Sequence, residues 1–189
     1  MIVTIEETRI ISLMYRQERT DADYGSCLWA RFYFDLKNYT LSIESDCGNY
    51  VYGWVPTPEA ETFLHLCSRF DEGYLLEKIA KRTVVNGDET WEELKDFLEY
   101  AVGDADEEVR ITELKEIHDA CYHHRTDVEA HEAILAAIKE TSFSDEIGDY
   151  EIWQSIVMDY SADAKKIVSV FHDHIQPVIK KLDVEVDHD

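Results

Sequence analysis

The chain has 189 residues, 41 of them acidic and 18 basic, for a formal charge of −23, with 45% hydrophobic and 12% aromatic residues. That length and composition fit one globular domain with a sizeable core and exclude a disordered chain. The acidic excess argues against direct nucleic-acid binding as the main role and against docking on anionic membrane, since both need surplus Lys and Arg.

No apolar run approaches about 18 residues, and no basic region followed by an apolar stretch opens the chain, so neither a span nor a signal peptide is expected. Cys27, Cys47, Cys67 and Cys121 form no C-x-x-C pair and are expected as reduced, mostly buried thiols in a cytoplasm.

The elements follow in order. A β segment over residues 9–15 leads through a polar loop, 18–26, into residues 28–36, where Leu28, Ala30, Phe32, Phe34 and Leu36 alternate with Trp29, Arg31, Tyr33 and Asp35. Lys37-Asn38 makes a tight turn, and Tyr39, Leu41 and Ile43 then alternate with Thr40, Ser42 and Glu44. Asp46-Cys47-Gly48-Asn49 turns again into residues 50–54. This is an antiparallel meander of three or four strands, held in register by one apolar face.

From Thr57 the period becomes helical. Thr57-Pro58 reads as a cap with Pro at the first helical position, ahead of a stripe of Phe63, Leu64, Cys67 and Phe70. A short helix is expected over 74–81. Two T-x-x-E capping boxes begin at Thr90 and Thr126, and further helices are expected over 113–122 and 150–158. The last helix starts at a Ser161 cap and carries Ala164, Ile167, Val168, Phe171, Ile175, Val178, Ile179 and Leu182 at 3–4 residue spacing, with Pro177 kinking or ending it. The fold class is α+β: an N-terminal antiparallel meander over 1–57, then an acidic, mainly helical part over 58–189. The expectation is a single α+β domain over 1–189, with a hinge near 102–109; whether the helical part folds back over the sheet is open.

Charge divides with this organisation. Residues 1–57 hold 8 acids and 5 bases, whereas 58–189 hold 33 and 13. In the helix over 89–101, Trp91, Leu94, Phe97, Leu98 and Ala101 fall on one arc and Glu89, Glu92, Glu93, Asp96 and Glu99 on the opposite one. Those five carboxylates span roughly 16 Å of axis, about one per 3–4 Å, close to the ~3.4 Å phosphate repeat of one DNA strand. Asp104, Asp106, Glu107 and Glu108 continue the run, followed by Glu113, Glu116 and Asp119. Such a face is ordinarily a solvated surface. Its self-repulsion, with few Lys at i+4, suggests a compensating use: competing with nucleic acid for a basic protein groove.

Other chemistry is thinner. His118, His123, His124 and His131 with Cys121 match no zinc spacing, so no metal and no cofactor is expected. Asp35, Glu44 and Asp46 are the best case for a metal-dependent nuclease or phosphohydrolase, but no E-x-K or D-x-K follows. P-loop, Rossmann and nucleophile-elbow patterns are absent, and the chain is expected not to be an enzyme. Trp29 and Tyr33, facing away from the apolar side, need either cover from the C-terminal helices, the expected outcome, or a partner to which they would be anchors.

The segments LWARFYFDL at 28–36, SIESDCGNY at 42–50, GYLLEKI at 73–79, DYS at 159–161 and AKKIV at 164–168 resemble a group of small proteins carried by prophages of gut bacteria. Part of that group looks like the type II anti-CRISPR proteins that inhibit Cas9. The resemblance brings no active-site residues. It implies a non-enzymatic inhibitor in the host bacterial cytoplasm that binds guide-loaded Cas9, or a similar nucleic-acid-binding defence effector. The charge pattern points the same way, since Cas9 holds nucleic acid in positively charged channels. The expected partner-binding residues are the carboxylates at 89, 92, 93, 96, 99, 104, 106, 107 and 108 with Trp29 and Tyr33. The alternatives are the nuclease or phosphohydrolase and a phage structural or adaptor protein.

Overall fold

The computed structural model describes residues 8–56, 62–101 and 107–186. Strands β1 (Ile10–Arg16), β2 (Trp29–Asp35), β3 (Thr40–Ser45) and β4 (Gly48–Gly53) precede helices α1 (Phe63–Cys67) and α2 (Glu72–Ile79). Strand β5 (Arg82–Val85) leads to α3 (Gly87–Tyr100), α4 (Glu107–Ala120), α5 (Asp127–Lys139) and α6 (Asp149–Ser155). After β6 (Met158–Tyr160), α7 (Ala162–Val170), a π-helical turn (Phe171–Ile175) and α8 (Gln176–Val186) complete the described chain. The fold is α+β, an N-terminal antiparallel sheet followed by a mostly helical remainder.

The chain forms two compact units, one from residues 1–80 and 162–189 and a second from Lys81–Ser161. Residue 57, where the hydrophobic period changes, is not the division. The second unit is an excursion between α2 and α7, and the antiparallel β5–β6 pair brings its two ends together. Inserted units require such neighbouring ends.

In the first unit the strands run β1-β2-β3-β4, each antiparallel to the next. The register aligns Leu13, Phe32, Ile43 and Tyr50 in one row and Ile11, Phe34, Leu41 and Tyr52 in the next. Side chains alternate across a strand, so these rows share one face, and Phe32, Phe34 and Leu41 are fully buried on it. Helices α1, α2 and α7, the π turn and α8 supply the other half of this core through Phe63, Leu75, Ile167, Phe171 and Ile179. Gly48, at φ +104°, begins β4 in a left-handed conformation that disfavours any side chain.

Several local expectations shift. Thr57 and Pro58 lie outside the described residues; the observed cap of α1 is Thr62, whose hydroxyl accepts from His65 N–H. Pro177 neither ends nor breaks the last helical run. The π turn just before it pairs Gln176 N–H with the Phe171 carbonyl, five residues back, loosening the backbone ahead of a residue that lacks an N–H and crowds the preceding turn. Ala164, Ile167, Val168, Phe171, Ile175 and Ile179 are buried as expected, whereas Val178 is 40% exposed and Gln176 is buried in its place. The Gln176 amide donates to the carbonyls of Cys67 and Phe70 at 3.4 and 2.7 Å, satisfying groups left open where α1 ends.

In the second unit Leu94 and Leu98 of α3 pack with Ile117, Cys121, Ile134, Ile138 and Ile152. Met158 belongs to a strand, not to a helix over 150–158, because it pairs with Val85 across the β5–β6 ladder. The first capping box is also displaced. Asn86 caps α3, accepting from Glu89 N–H at 3.2 Å, and Thr90 lies one turn inside the helix, buried, taking the Val157 N–H at 3.0 Å. Thr126 does cap α5, but the reciprocal Glu129 carboxylate takes the N–H of Arg125. Of the expected hinge, residues 102–106 lie outside the described residues, and Glu107, Glu108 and Val109 open α4.

Candidate functional site

The anionic face is built on α3. Asn86 sets where the helix starts, and Gly87 lets that start sit against the end of α4. A β-carbon at Gly87 would lie 2.6 Å from Tyr122 Cδ1 and 3.0 Å from the Cys121 carbonyl oxygen. Leu94 and Leu98 then bind one side of α3 to the core, with Trp91, Phe97 and Ala101 packed partly buried around them. Anchoring that arc turns Glu89, Glu92, Glu93, Asp96 and Glu99 outward, and all five are exposed. Their angular positions span about 120° of the helix, so they make one row.

Little on this row neutralises them. Among the described residues the ion pair there is Lys95 Nζ to Glu92 at 3.9 Å, both side chains largely in solvent. An exposed i,i+3 pair of that length contributes at most a few tenths of a kcal/mol. Asp88 is engaged, accepting the Tyr122 hydroxyl at 2.7 Å. That bond to a carboxylate, then burial, pushes the Tyr122 phenol up to about 12.

Glu107 and Glu108 are exposed in the first turn of α4, where the helix dipole favours negative charge. Asp104 and Asp106 lie outside the described residues. Glu113 serves structure instead, accepting the Ser142 N–H and hydroxyl at 3.0 and 2.6 Å.

Trp29 and Tyr33 belong to the first unit, on the sheet face opposite its core. The expected helix cover is not what forms. The helices pack on the face of Phe32 and Phe34, where Tyr50 and Trp54 join them, while Trp29 is 38% exposed. Around it the open face carries Met14, Arg31 and Val51, all exposed, and half-buried Tyr33. The Tyr33 hydroxyl donates to Glu44 at 3.0 Å and accepts from Arg31 at 3.3 Å.

The three carboxylates weighed for catalysis are each tied to a local role. Asp35 accepts from the Lys37 and Asn38 amides and from the Asn38 side chain, closing the β2–β3 turn, and from the Thr8 hydroxyl. Partial burial opposes ionisation of Asp35, but these donors outweigh it and hold the carboxyl below its usual range. Asp46 accepts from the Leu28 and Trp29 amides at 2.8 and 3.3 Å. Glu44 pairs across the sheet with Arg31 in register.

Among the described residues, metal-ligand groupings fall elsewhere than the histidines at 118–131. His118 contacts Asp119 and the Tyr122 hydroxyl, and His124 the Ala120 carbonyl. His131, far more buried than a surface histidine, stacks on Trp153 with ring centroids 4.2 Å apart. Among the described residues the ligand-type clusters are Cys27–Asp46–Cys47 and the exposed Glu72–His172–Asp173. The first escaped the sequence because its members lie 19 residues apart and meet only through strand register.

Against this geometry, the model of a phage family, Phage_phiTE_072, matches residues 4–181. The chain belongs to this phage family. Almost the whole chain is covered, so the Phage_phiTE_072 assignment spans both units and every candidate residue above. Membership agrees with the phage origin implied by the sequence resemblance. No curated protein and no solved structure matches the chain. No helix among its described residues is long and apolar enough to cross a membrane.

Proposed function

We propose that this phage-family protein is a non-enzymatic inhibitor of a nucleic-acid-binding host defence effector, most concretely Cas9 loaded with guide RNA. The row of five exposed carboxylates on α3 carries the reading. Its rise per charge is near that of a phosphate backbone, and the row is held by a helix whose other side is fixed in a core. A basic groove built for phosphates attracts such a row at long range and pairs with it at contact. Glu107 and Glu108 add exposed charge at the start of α4, and in the first unit the open sheet face around Trp29 offers an apolar anchor of the kind that dominates interfaces. The employment of Asp35, Glu44 and Asp46 in turns and cross-strand bonds favours binding over catalysis by the sheet carboxylates.

The test is capture of guide-loaded Cas9 by the full chain at low and high salt, with DNA cleavage measured alongside. Neutralising Glu92, Glu93, Asp96 and Glu99 together, as Gln or Asn, removes four contacts worth roughly 0.2–1 kcal/mol each. Capture should weaken by about fourfold or more and lose much of its salt dependence, with the circular dichroism spectrum unchanged. Equal affinity in the quadruple variant would remove the acidic helix from the mechanism. Absence of capture and undiminished cleavage with the wild-type chain would remove Cas9 as the target.

A further inference from the structure

Cys27 stands two residues before β2, and Asp46 and Cys47 make the turn between β3 and β4. The β2–β3 register, with Ala30 opposite Ser45, sets these two stretches side by side. Cys27 is 0% and Cys47 3% exposed, whereas Asp46 faces solvent. Cys27 Sγ lies 3.5 Å from Asp46 Oδ1, and the two sulfurs and that carboxylate all lie within 4.8 Å of one another. A tetrahedral zinc ion, with Zn–S about 2.3 Å and Zn–O about 2.0–2.2 Å, sets S···O near 3.5 Å and S···S near 3.8 Å. The Cys27–Asp46 separation matches that ligand spacing, and the remaining separations, none above 4.8 Å, lie within a small adjustment of it.

The surroundings are built in the same way. The Leu28 and Trp29 amides orient the Asp46 carboxylate, as outer hydrogen bonds orient metal ligands. The Cys47 thiol donates to the Ser26 carbonyl at 3.1 Å, a bond that metal binding would replace and that leaves this oxygen beside the group. Solvent reaches the group through exposed Asp46, while the sulfurs stay shielded from bulk oxidants.

We propose that Cys27, Cys47 and Asp46 bind one thiophilic divalent cation of the Zn²⁺ class, which pins the loop over residues 17–28 to the β3–β4 turn next to Trp29. Two S–H bonds break and two metal–sulfur bonds form, the protons pass to solvent, and no oxidation state changes. The site is structural: two thiolates and a carboxylate fill three positions, and an oxygen from the Ser26 carbonyl or from solvent fills the fourth.

The experiment uses the reduced, chelator-stripped full chain, titrated with Co²⁺ and then with Zn²⁺. One equivalent of Co²⁺ should bind, with a thiolate-to-cobalt charge-transfer band that Zn²⁺ displaces. Cys27→Ser and Cys47→Ser should each lose that band, and Cys67→Ser and Cys121→Ser should keep it. Since a serine in the core could unfold the first unit, X-ray absorption of the zinc-loaded wild type gives an independent reading: two sulfur and two oxygen scatterers. No uptake by the reduced chain, a zinc shell without sulfur, or a cobalt band unchanged in both Cys27→Ser and Cys47→Ser overturns the proposal.

Discussion

The two units solve the same folding problem with different means. Among its described residues the first gathers eighteen buried side chains in one cluster, drawn from alternating strand positions, the region of α1 and α2, and the long C-terminal helical run. Among the described residues of the second the cluster holds nine, six from helices α3–α6 and three, Cys121, Phe143 and Ile147, from the segments between them. Polar side chains do more there: Thr90, His131, Thr141 and Ser155 are all buried. The second unit also holds 22 acidic against 7 basic residues, where the first holds 19 against 11. A surface of like charges works against a compact state, and a smaller core has less with which to oppose it. Surface charge and core strength are thus divided between the units, with the open aromatic sheet face on the better-packed one.

Core truncation should break this comparison most forcefully. Phe32→Ala removes a fully buried ring from the first cluster and is expected to cost about 3–5 kcal/mol; Leu98→Ala in the second is expected to cost about 2–5 kcal/mol. The informative measurement is amide exchange in each variant. Leu98→Ala should accelerate exchange chiefly within residues 81–161, and Phe32→Ala chiefly outside them. Uniform acceleration across the chain in both variants would dissolve the division into two cooperative units.

A smaller effect sharpens the point about polar pins. Thr90→Val keeps the shape of the side chain but removes the acceptor of the Val157 N–H. An amide left without its partner costs about 1–3 kcal/mol, and the variant should shift the denaturation midpoint accordingly and expose the Val157 amide to faster exchange. A midpoint equal to wild type would mean that water replaces the hydroxyl, and that the second unit depends less on such contacts than its burial pattern says.

What the residues announced in advance divides by range along the chain, in both units alike. The meander was readable because period-2 alternation and turn chemistry are local: Lys37-Asn38 does sit in the β2–β3 turn, and Leu41 and Ile43 are buried as their spacing required. The acidic arc of α3 was readable for the same reason. Thr90 was misread because T-x-x-E is a local pattern, whereas the true start depends on Asn86 and on what packs against Gly87. The short strand at Met158 exists only through pairing with residues some 73 positions earlier, since Val85 is its partner. The Cys27–Cys47 pair likewise needs a register that no single window contains. Helix cover of Trp29 was expected on the premise that exposed aromatics seek shelter, but one layer of helices can close only one face of a sheet.

The smallest expected effect concerns how the acidic helix is held. Tyr122, two residues past α4, donates to Asp88 in the first turn of α3, and this bond helps fix the end from which the carboxylate row projects. The folded chain keeps the phenolic proton to about pH 12, against an ordinary value of 10.0. A group whose pKa is raised by folding contributes its stability in full below the unfolded value and loses it as pH climbs through the folded one. The Tyr122–Asp88 contribution should therefore be intact below pH 10 and fade from about 10 to about 12. Melting temperatures measured across that window should fall more steeply for wild type than for Tyr122→Phe, which has no proton there to lose. Asp88→Asn should behave as an intermediate case, because the amide oxygen still accepts the hydroxyl but no longer opposes the phenolate with a full negative charge. Parallel slopes in all three proteins would show that the junction of α3 and α4 is held by the packing of the Tyr122 ring on Gly87 alone.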